Sequence, residues 1–315
     1  MPLDLSVILC SHNPRADYLQ RAIDALKVQS LPRECWEFII IDNSSETPIS
    51  GIADTHWHPS CRILVEADLG ILPARVRGLR EAQADHMLFL DDDNVLSPDY
   101  LETALEIGKK YPFLGAWGAG RIGLEYETPP PSWIKEFEYL FTALDLKEEQ
   151  WANVKFDNPV LPPTMGMCLR RGVAEKFLAL VASDPRRKLL GRRGKNHFFN
   201  CEDHDLALCA CDLNLATGQF PELSFCHLIS SNRINQDYLL RLYQGTFCSH
   251  DILGALRGRY PQSDTTSTFR RLLGQLRRRL FAPELERQKI ECRLRARREA
   301  CLIIAEWNKC DSLCG

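Results

Sequence analysis

HMLFLDDDN, residues 86–94, joins a run of apolar side chains to three consecutive carboxylates. The run Met87–Leu90 fits a buried β-strand. Asp91, Asp92 and Asp93 repel one another, and each loses hydration where it lies beside a packed strand. A nearby cation would offset that cost. The stretch therefore predicts a buried strand that ends at an acidic site.

Three further apolar runs have the length and the β-branched content of strands, and helical patterns alternate with them: LSVILCS (5–11), WEFIIID (36–42) and RILVEA (62–67). Near-continuous apolar strands separated by helices are typical of an α/β fold with a mostly parallel sheet that is covered on both faces. Such sheets bind ligands outside the carboxyl ends of their strands. Polar residues follow three of the predicted strands, at 11–13, 42–44 and 91–93.

The 315 residues have the composition of a globular protein, with 45% hydrophobic and 26% charged side chains. Thirteen cysteines are scattered without a CxxC pair, which favours reduced thiols over a zinc knuckle. The sequence shows no signal peptide and no run of about 18 apolar residues that could span a bilayer. These features predict a cytoplasmic protein.

Carboxylates at strand ends suit a hard divalent cation such as Mg²⁺ or Mn²⁺, which prefers oxygen ligands and often bridges to phosphate. Such a cation would stabilise negative charge that grows on a leaving group. Two alternatives stay open for residues 91–95: a solvated acidic turn, and the DxDxV nucleophile motif of haloacid-dehalogenase-like phosphatases. That phosphatase motif normally lies on the first strand of its fold, whereas three strand-like runs come before it here.

Five motifs, in chain order, resemble those of family 2 glycosyltransferases of the GT-A type: LSVILCSHNP (5–14), FIIIDNSS (38–45), LGILPAR (69–75), FLDDDN (89–94) and EDHDLAL (202–208). The resemblance extends over roughly residues 3–250. It implies a Rossmann-like GT-A sheet flanked by helices. It also implies an inverting transfer of a sugar from a nucleotide-diphosphate donor to an acceptor nucleophile.

The resemblance implies roles for matching residues in binding the nucleotide sugar. Ser11 and Asn13 stand at the family's T-x-N position, and Asp42 matches an acidic residue that contacts the base. Arg75 matches an arginine near the nucleotide, although a pairing with surface carboxylates is an alternative. A basic loop could close over the donor's phosphates, or could simply be solvated. The implied nucleotide-sugar-binding residues are Ser11, Asn13, Asp42, Arg75, Asp91, Asp92, Arg192 and Arg193.

Catalytic and metal-binding roles follow from the same resemblance. An inverting displacement needs a base within hydrogen-bond reach of the acceptor hydroxyl, and Asp203 is the expected base, with Glu202 orienting it. The alternative is that these acids only stabilise a helix start. Asp93 and Asp91 match the family's DxD metal site. His227 matches a histidine that can reach the metal, although a structural role is equally open.

The predicted organisation is a glycosyltransferase domain over residues 1–235 and a helical C-terminal region over 236–315. The domain divides into a nucleotide-binding half (1–95) and an acceptor half (96–235). The predicted activity is metal-assisted transfer to a saccharide, lipid-linked or protein acceptor. The competing hypothesis from another class is a non-catalytic protein that binds sugar nucleotides or acts as a scaffold.

A basic tail contrasts with the acidic remainder of the chain. Residues 270–298 contain eleven Lys and Arg against three Glu, although the whole chain has a net charge of −3. Leucines form a stripe between the arginines at 268–281, which fits a helix resting on anionic lipid at the inner face of a membrane. The alternatives are packing on the acidic body and a homo-oligomer contact. No nucleic-acid reader motif accompanies the charge, so we expect no nucleic-acid partner.

Overall fold

The computed structural model describes residues 3–194, 198–259 and 283–314. Contacts divide the chain into two compact units, and each is made of two segments: Met1–Pro185 with Glu202–Ile234, and Arg186–Cys201 with Asn235–Gly315. The second unit includes a segment from the middle of the chain that the sequence analysis placed in the first domain. The division of the first domain into a nucleotide-binding half and an acceptor half stays a prediction. The stripe of leucines and arginines at 268–281 lies outside the described residues.

A single mixed sheet of ten strands forms the frame of the first unit. The strands are β1 (Leu5–Ser11), β2 (Trp36–Asp42), β3 (Cys61–Val65), β4 (His86–Leu90), β5 (Asn94–Leu96), β6 (Leu114–Tyr126), β7 (Leu144–Asp145), β8 (Gln150–Ala152), β9 (Cys168–Arg170) and β10 (Ala216–Ile229). Their order is β3-β2-β1-β4-β9-β6-β10-β5, with β7 beside β6 and β8 beside β10.

The first four strands are parallel to one another, and so are β6 and β10. The short strand β9 lies antiparallel between β4 and β6 and joins the two parallel groups. The predicted α/β fold with a mostly parallel sheet is therefore confirmed.

Helices cover both faces of this sheet: α1 (Ala16–Lys27), α2 (Ile71–Glu81), α3 (Tyr100–Lys110), α4 (Arg171–Ser183) and α5 (Glu202–Asp212). Short 3₁₀ helices connect the larger elements at Arg33–Cys35, Ile49–Gly51, Ser132–Glu136, Glu138–Phe141, Pro185–Leu190 and Ser231–Arg233.

The side chains of β1 alternate between two buried clusters, because successive residues of a strand point to opposite faces. Leu5, Val7 and Leu9 pack with residues of α1 and α3, while Ile8 and Cys10 pack with residues of α2, α4 and α5. Every residue of β1 and of β2 is buried. Burial on both faces explains why these strands are continuous apolar runs in the sequence.

Helix α2 lies unusually close to β1, and Gly78 permits that approach. A Cβ atom at this position would lie 2.4 Å from the Cγ2 atom of Ile8. Any larger residue would push the helix away from the strand. The position of α2 matters for the site, because α2 carries Arg75.

Among its described residues, the second unit contains the long helices α6 (Gln236–Leu256) and α7 (Glu284–Cys314). The Arg293 guanidinium of α7 lies over the ring of Phe247 in α6, 4.7 Å from its centroid. The segment before residue 202 packs on α6, where Asn200 donates hydrogen bonds to Thr246 and Ser249. Among the described residues, no helix is both long enough and apolar enough to cross a membrane.

Candidate active site

Three strand ends place polar residues at one edge of the sheet. β1 runs parallel to both β2 and β4, and Ser11 lies opposite Asp42 in that register. The residues 91–93 follow β4 at the same edge. The Ser11 hydroxyl donates a hydrogen bond to the Asp92 carboxylate. The structure therefore brings these sequence-predicted site residues together.

Asp42 and Asn13 shape the loop that follows β2. The two carboxylate oxygens of the buried Asp42 accept hydrogen bonds from the backbone N–H groups of Ser45 (3.0 Å) and Ile49 (2.9 Å). The exposed Asn13, at φ 50°, accepts a hydrogen bond from the Glu46 N–H at 2.7 Å. Both residues thus have a structural role here, and their contact with a nucleotide stays a prediction.

Asn43 is a residue that the sequence analysis did not assign. Its side-chain nitrogen donates to the carbonyl oxygens of Glu66 (3.1 Å) and Asp68 (2.7 Å), while its side-chain oxygen accepts from the Gly70 N–H (2.7 Å). Gly70 immediately precedes α2 and has φ 138°, a conformation that favours glycine. An asparagine directly after the strand-end Asp42 was the available signal.

Each aspartate of the triplet faces a different partner. Asp91 lies 3.6 Å from the Arg75 guanidinium, Asp92 accepts from Ser11, and a carboxylate oxygen of Asp93 lies 3.1 Å from Arg233. The side chains of Asp91 and Asp93 are 26% and 21% exposed. The three acids are thus half-buried and adjacent, and each contacts a different side chain.

Burial raises the pKa of Asp91, and the Arg75 guanidinium opposes that rise. Burial also raises the pKa of Asp92, to about 7, and the charge of Asp93 adds to the rise while the Ser11 hydrogen bond opposes it. A bound dication would favour the ionised carboxylates. Carboxylate oxygens and one imidazole nitrogen are ligands that Mn²⁺ and Mg²⁺ accept. The residues present therefore fit such an ion.

Arg75 connects the acidic strand end to the start of α5. Its buried guanidinium forms an ion pair with the buried carboxylate of Glu202 and also faces Asp91. Those opposite charges raise the pKa of Arg75, while burial opposes the rise. The family resemblance predicts Arg75 near the nucleotide, and a pairing with surface carboxylates was the alternative. Its carboxylate partners are the buried Glu202 and the half-buried Asp91, and its contact with a nucleotide stays a prediction.

Asp203 lies beside that ion pair, in the first turn of α5. One of its carboxylate oxygens accepts the backbone N–H of His204 at 2.8 Å. Its charge raises the pKa of both Arg75 and Asp91, which places it within electrostatic range of the acidic strand end. The ED motif and the DxD motif thus meet at one site, although about 110 residues of sequence lie between them.

His227 lies in β10, opposite Asn94 of β5, and so next to the acidic triplet. Its Nδ1 lies 2.9 Å from the Phe141 carbonyl oxygen, which can only accept, so Nδ1 carries the proton. Nε2 then presents its lone pair and lies 3.3 Å from a carboxylate oxygen of Asp93. A carbonyl that fixes the tautomer in this way is common behind metal-binding histidines.

Two further residues near Asp93 were not assigned from the sequence. Asn94 is fully buried; its side chain donates to Asp93 (3.0 Å) and accepts from the Asp91 N–H (3.2 Å), so it fixes the turn. Arg233 lies on the 3₁₀ helix after β10 and contacts Asp93. An arginine six residues after His227 was the only local signal.

Arg192 and Arg193 lie in the second unit, where both are exposed. The structure does not test their predicted contact with donor phosphates. That role stays a prediction.

The sequence matches the family-wide model of glycosyl transferase family 2 over residues 6–177, more than half of the chain. The matched range includes the first four motifs and the acidic triplet. The chain belongs to glycosyl transferase family 2. Family membership sets aside the phosphatase alternative for residues 91–95.

Two curated glycosyltransferases share part of this sequence. One is a protein of Bacillus subtilis named as a teichuronic acid biosynthesis glycosyltransferase, TuaG, which is 35% identical over 105 residues, or 32% of this chain and 40% of TuaG. The other is an uncharacterized glycosyltransferase of Haemophilus influenzae, 29% identical over 34% of this chain and 35% of the relative. The chain therefore spans well under half the length of either relative.

Among solved structures, the fold is similar to that of Staphylococcus aureus TarS, residues 1–349. The similarity covers 95% of this chain and 81% of that chain, with a TM-score of 0.50 and 15% sequence identity. At this identity the similarity shows a shared fold. It agrees with the GT-A, Rossmann-like architecture predicted for the family 2 glycosyltransferase.

Proposed function

We propose that this protein transfers a sugar from a nucleotide-diphosphate donor to an acceptor hydroxyl by metal-assisted, inverting single displacement. One observation supports this proposal most strongly: the Arg75 guanidinium joins Glu202 of the ED motif to Asp91 of the DxD strand. That contact positions a candidate base beside a candidate diphosphate-binding site. The reaction needs the base at the acceptor hydroxyl and the diphosphate-binding site at the donor, next to each other.

Asp203 is the proposed base. A base in an inverting displacement must accept the proton of the acceptor hydroxyl as the oxygen attacks the anomeric carbon. Asp203 is half-buried at the helix start, next to Glu202, whose ion pair with Arg75 fixes that turn of α5. Glu202 itself is already engaged by Arg75, so it is better suited to positioning than to proton transfer.

Asp91, Asp93 and His227 are the proposed residues that would hold a divalent cation. When bound, Mn²⁺ or Mg²⁺ supplies positive charge to the diphosphate leaving group. The protein contributes the orientation: Asn94 fixes Asp93, and the Phe141 carbonyl fixes the tautomer of His227. Asp92 completes the acidic cluster and is oriented by Ser11.

The donor's nucleoside is proposed to bind beside the loop that Asp42 and Asn13 shape, together with Ser11 and Arg75. The basic residues Arg192 and Arg193 are proposed to meet the donor's phosphates. A saccharide end or a lipid-linked saccharide is the proposed acceptor. The name of TuaG, which refers to a polysaccharide, supports an acceptor of this class.

The test is a panel of nucleotide sugars incubated with the protein and Mn²⁺, with release of nucleoside diphosphate as the readout. Asp203→Asn should reduce kcat by about 10²–10⁴-fold while donor affinity stays near the wild-type value. Asp212→Asn, the same change at the opposite end of α5, is the matched control and should retain activity. A non-catalytic binding protein would bind a donor without turnover in all three proteins. Turnover in Asp203→Asn near the wild-type rate would remove Asp203 from the mechanism.

A further inference from the structure

Arg233 contacts two of the atoms that are proposed to bind the metal ion. Its Nη1 is 3.1 Å from a carboxylate oxygen of Asp93 and 3.2 Å from Nε2 of His227. The guanidinium also lies over the ring of Phe141, 5.1 Å from its centroid, and the side chain is 18% exposed. These contacts hold the guanidinium beside Asp93 and His227.

The hydrogen-bond roles of these atoms make the arrangement specific. In the neutral imidazole, with the Nδ1–H of His227 directed at the Phe141 carbonyl, Nε2 is an acceptor. The Asp93 carboxylate is also an acceptor. An Nη atom of arginine carries two hydrogens and can donate one to each of them. Arg233 therefore occupies the single lone pair of His227 Nε2 and one acceptor site of the Asp93 carboxylate, the groups proposed to bind a divalent cation.

We propose that Arg233 is a built-in counter-ion that competes with the divalent cation for Asp93 and His227. The inference rests on the proposed function, because it takes these two residues as metal ligands. A guanidinium and a dication cannot share the same lone pairs, and their charges repel each other. Arg233 must therefore leave Asp93 before that oxygen and His227 can ligate a metal.

The displaced guanidinium has a use when a donor is present. Arginine binds phosphate oxygens strongly because its planar fork offers two parallel N–H donors. A donor diphosphate at this edge would therefore favour the displaced position of Arg233. The protein should bind a metal weakly by itself and more tightly with a nucleoside diphosphate.

The experiment titrates Mn²⁺ alone into the full chain by calorimetry at 150 mM salt. Arg233→Gln should bind Mn²⁺ about fivefold more tightly than the wild type, because a competing charge is removed. Arg15→Gln is the matched control, since Arg15 pairs with Asp17 and Glu127 and not with the triplet. Its Mn²⁺ affinity should stay within about twofold of the wild type, because salt screens an exposed charge.

Arg233→Lys provides a second variant that retains the charge and should fold if Arg233→Gln does not. A single ammonium group on a flexible stem lacks the rigid fork of arginine, so this variant should also bind Mn²⁺ more tightly than the wild type. Three results would overturn the inference. The first is an Mn²⁺ affinity that is unchanged or weaker in the folded Arg233 variants, and the second is an equal gain in affinity in Arg15→Gln. The third is that none of the proteins binds Mn²⁺. This test is independent of the test of the transferase proposal, which measures donor turnover in the wild type and not Mn²⁺ affinity.

Discussion

The two ends of the same parallel strands carry contrasting ionic networks. At the amino end, the buried Glu37 accepts hydrogen bonds from Ser6 (2.7 Å), from the Gln83 N–H (2.7 Å) and from Arg62 (2.9 Å). Arg62 also pairs with Glu81, at 3.2 Å. Each buried oxygen of Glu37 thus has a donor within the protein, and the network is complete without a ligand.

At the carboxyl end, acids outnumber arginines among the described residues of the site. Five carboxylates belong to the triplet and the ED motif, and two guanidinium groups, those of Arg75 and Arg233, lie among them. Burial and mutual repulsion raise the pKa of Asp92 to about 7. The two ends therefore differ: the amino end holds a buried carboxylate with donors on both oxygens, whereas the carboxyl end concentrates five carboxylates, of which Asp91 and Asp92 have a raised pKa.

Of the substitutions considered, removal of Arg75 should lower the free energy of unfolding the most, because it breaks the carboxyl-end network. Arg75→Met leaves Glu202 buried without its guanidinium, and we expect a loss of about 3–5 kcal/mol in the free energy of unfolding. Arg62→Met, the same change at the amino end, should cost about 1–3 kcal/mol, because Glu37 retains two other donors. Urea unfolding of both variants measures the difference. Equal losses in the two variants would contradict the comparison.

A double substitution separates stability from function at the carboxyl end. Arg75→Met with Glu202→Met replaces the buried ion pair by apolar side chains, so most of the lost stability should return, to within about 1–2 kcal/mol of the wild type. Activity should stay low because the first turn of α5 loses the contact that positions Asp203. Sugar transfer by the double variant at the wild-type rate would show that Arg75 and Glu202 have only a structural role.

The raised pKa of Asp92 predicts a pH dependence of stability at the carboxyl end. In the folded protein the Asp92 carboxyl has a pKa of about 7, whereas in an unfolded chain its pKa is 3.8. The contribution of Asp92 to the free energy of unfolding is therefore greatest at low pH and falls as pH rises from about 4 to 7. In the presence of EDTA, the wild type should lose more stability between pH 5 and pH 8 than Asp92→Asn does. Parallel pH profiles for the two proteins would argue against a raised pKa.

Most of the sheet could be predicted because its signal is local. β1 and β2 have the predicted bounds, since burial on both faces makes each strand a continuous apolar run. β3 begins one residue earlier than predicted and ends two residues earlier, at Cys61–Val65. Its residues are only partly buried, so its apolar pattern is weaker.

The site was predictable as a set of residues, while the contacts between them were not. The order of the motifs identified the acidic triplet and the ED motif. The pairing of Arg75 with Glu202 spans 127 positions, and that of Arg233 with Asp93 spans 140. Such contacts depend on how the sheet brings distant segments together, and no local pattern encodes them.

The central claim is that the acidic strand ends use a divalent cation to bind the donor's diphosphate. The most direct test measures the affinity for nucleoside diphosphates, UDP and GDP among them, with and without Mn²⁺, in the wild type and in Asp93→Asn. We predict that Mn²⁺ raises the affinity for the preferred nucleotide by about tenfold or more in the wild type. In Asp93→Asn it should raise that affinity by less than about twofold. A wild-type affinity that is the same with and without Mn²⁺ would contradict the claim.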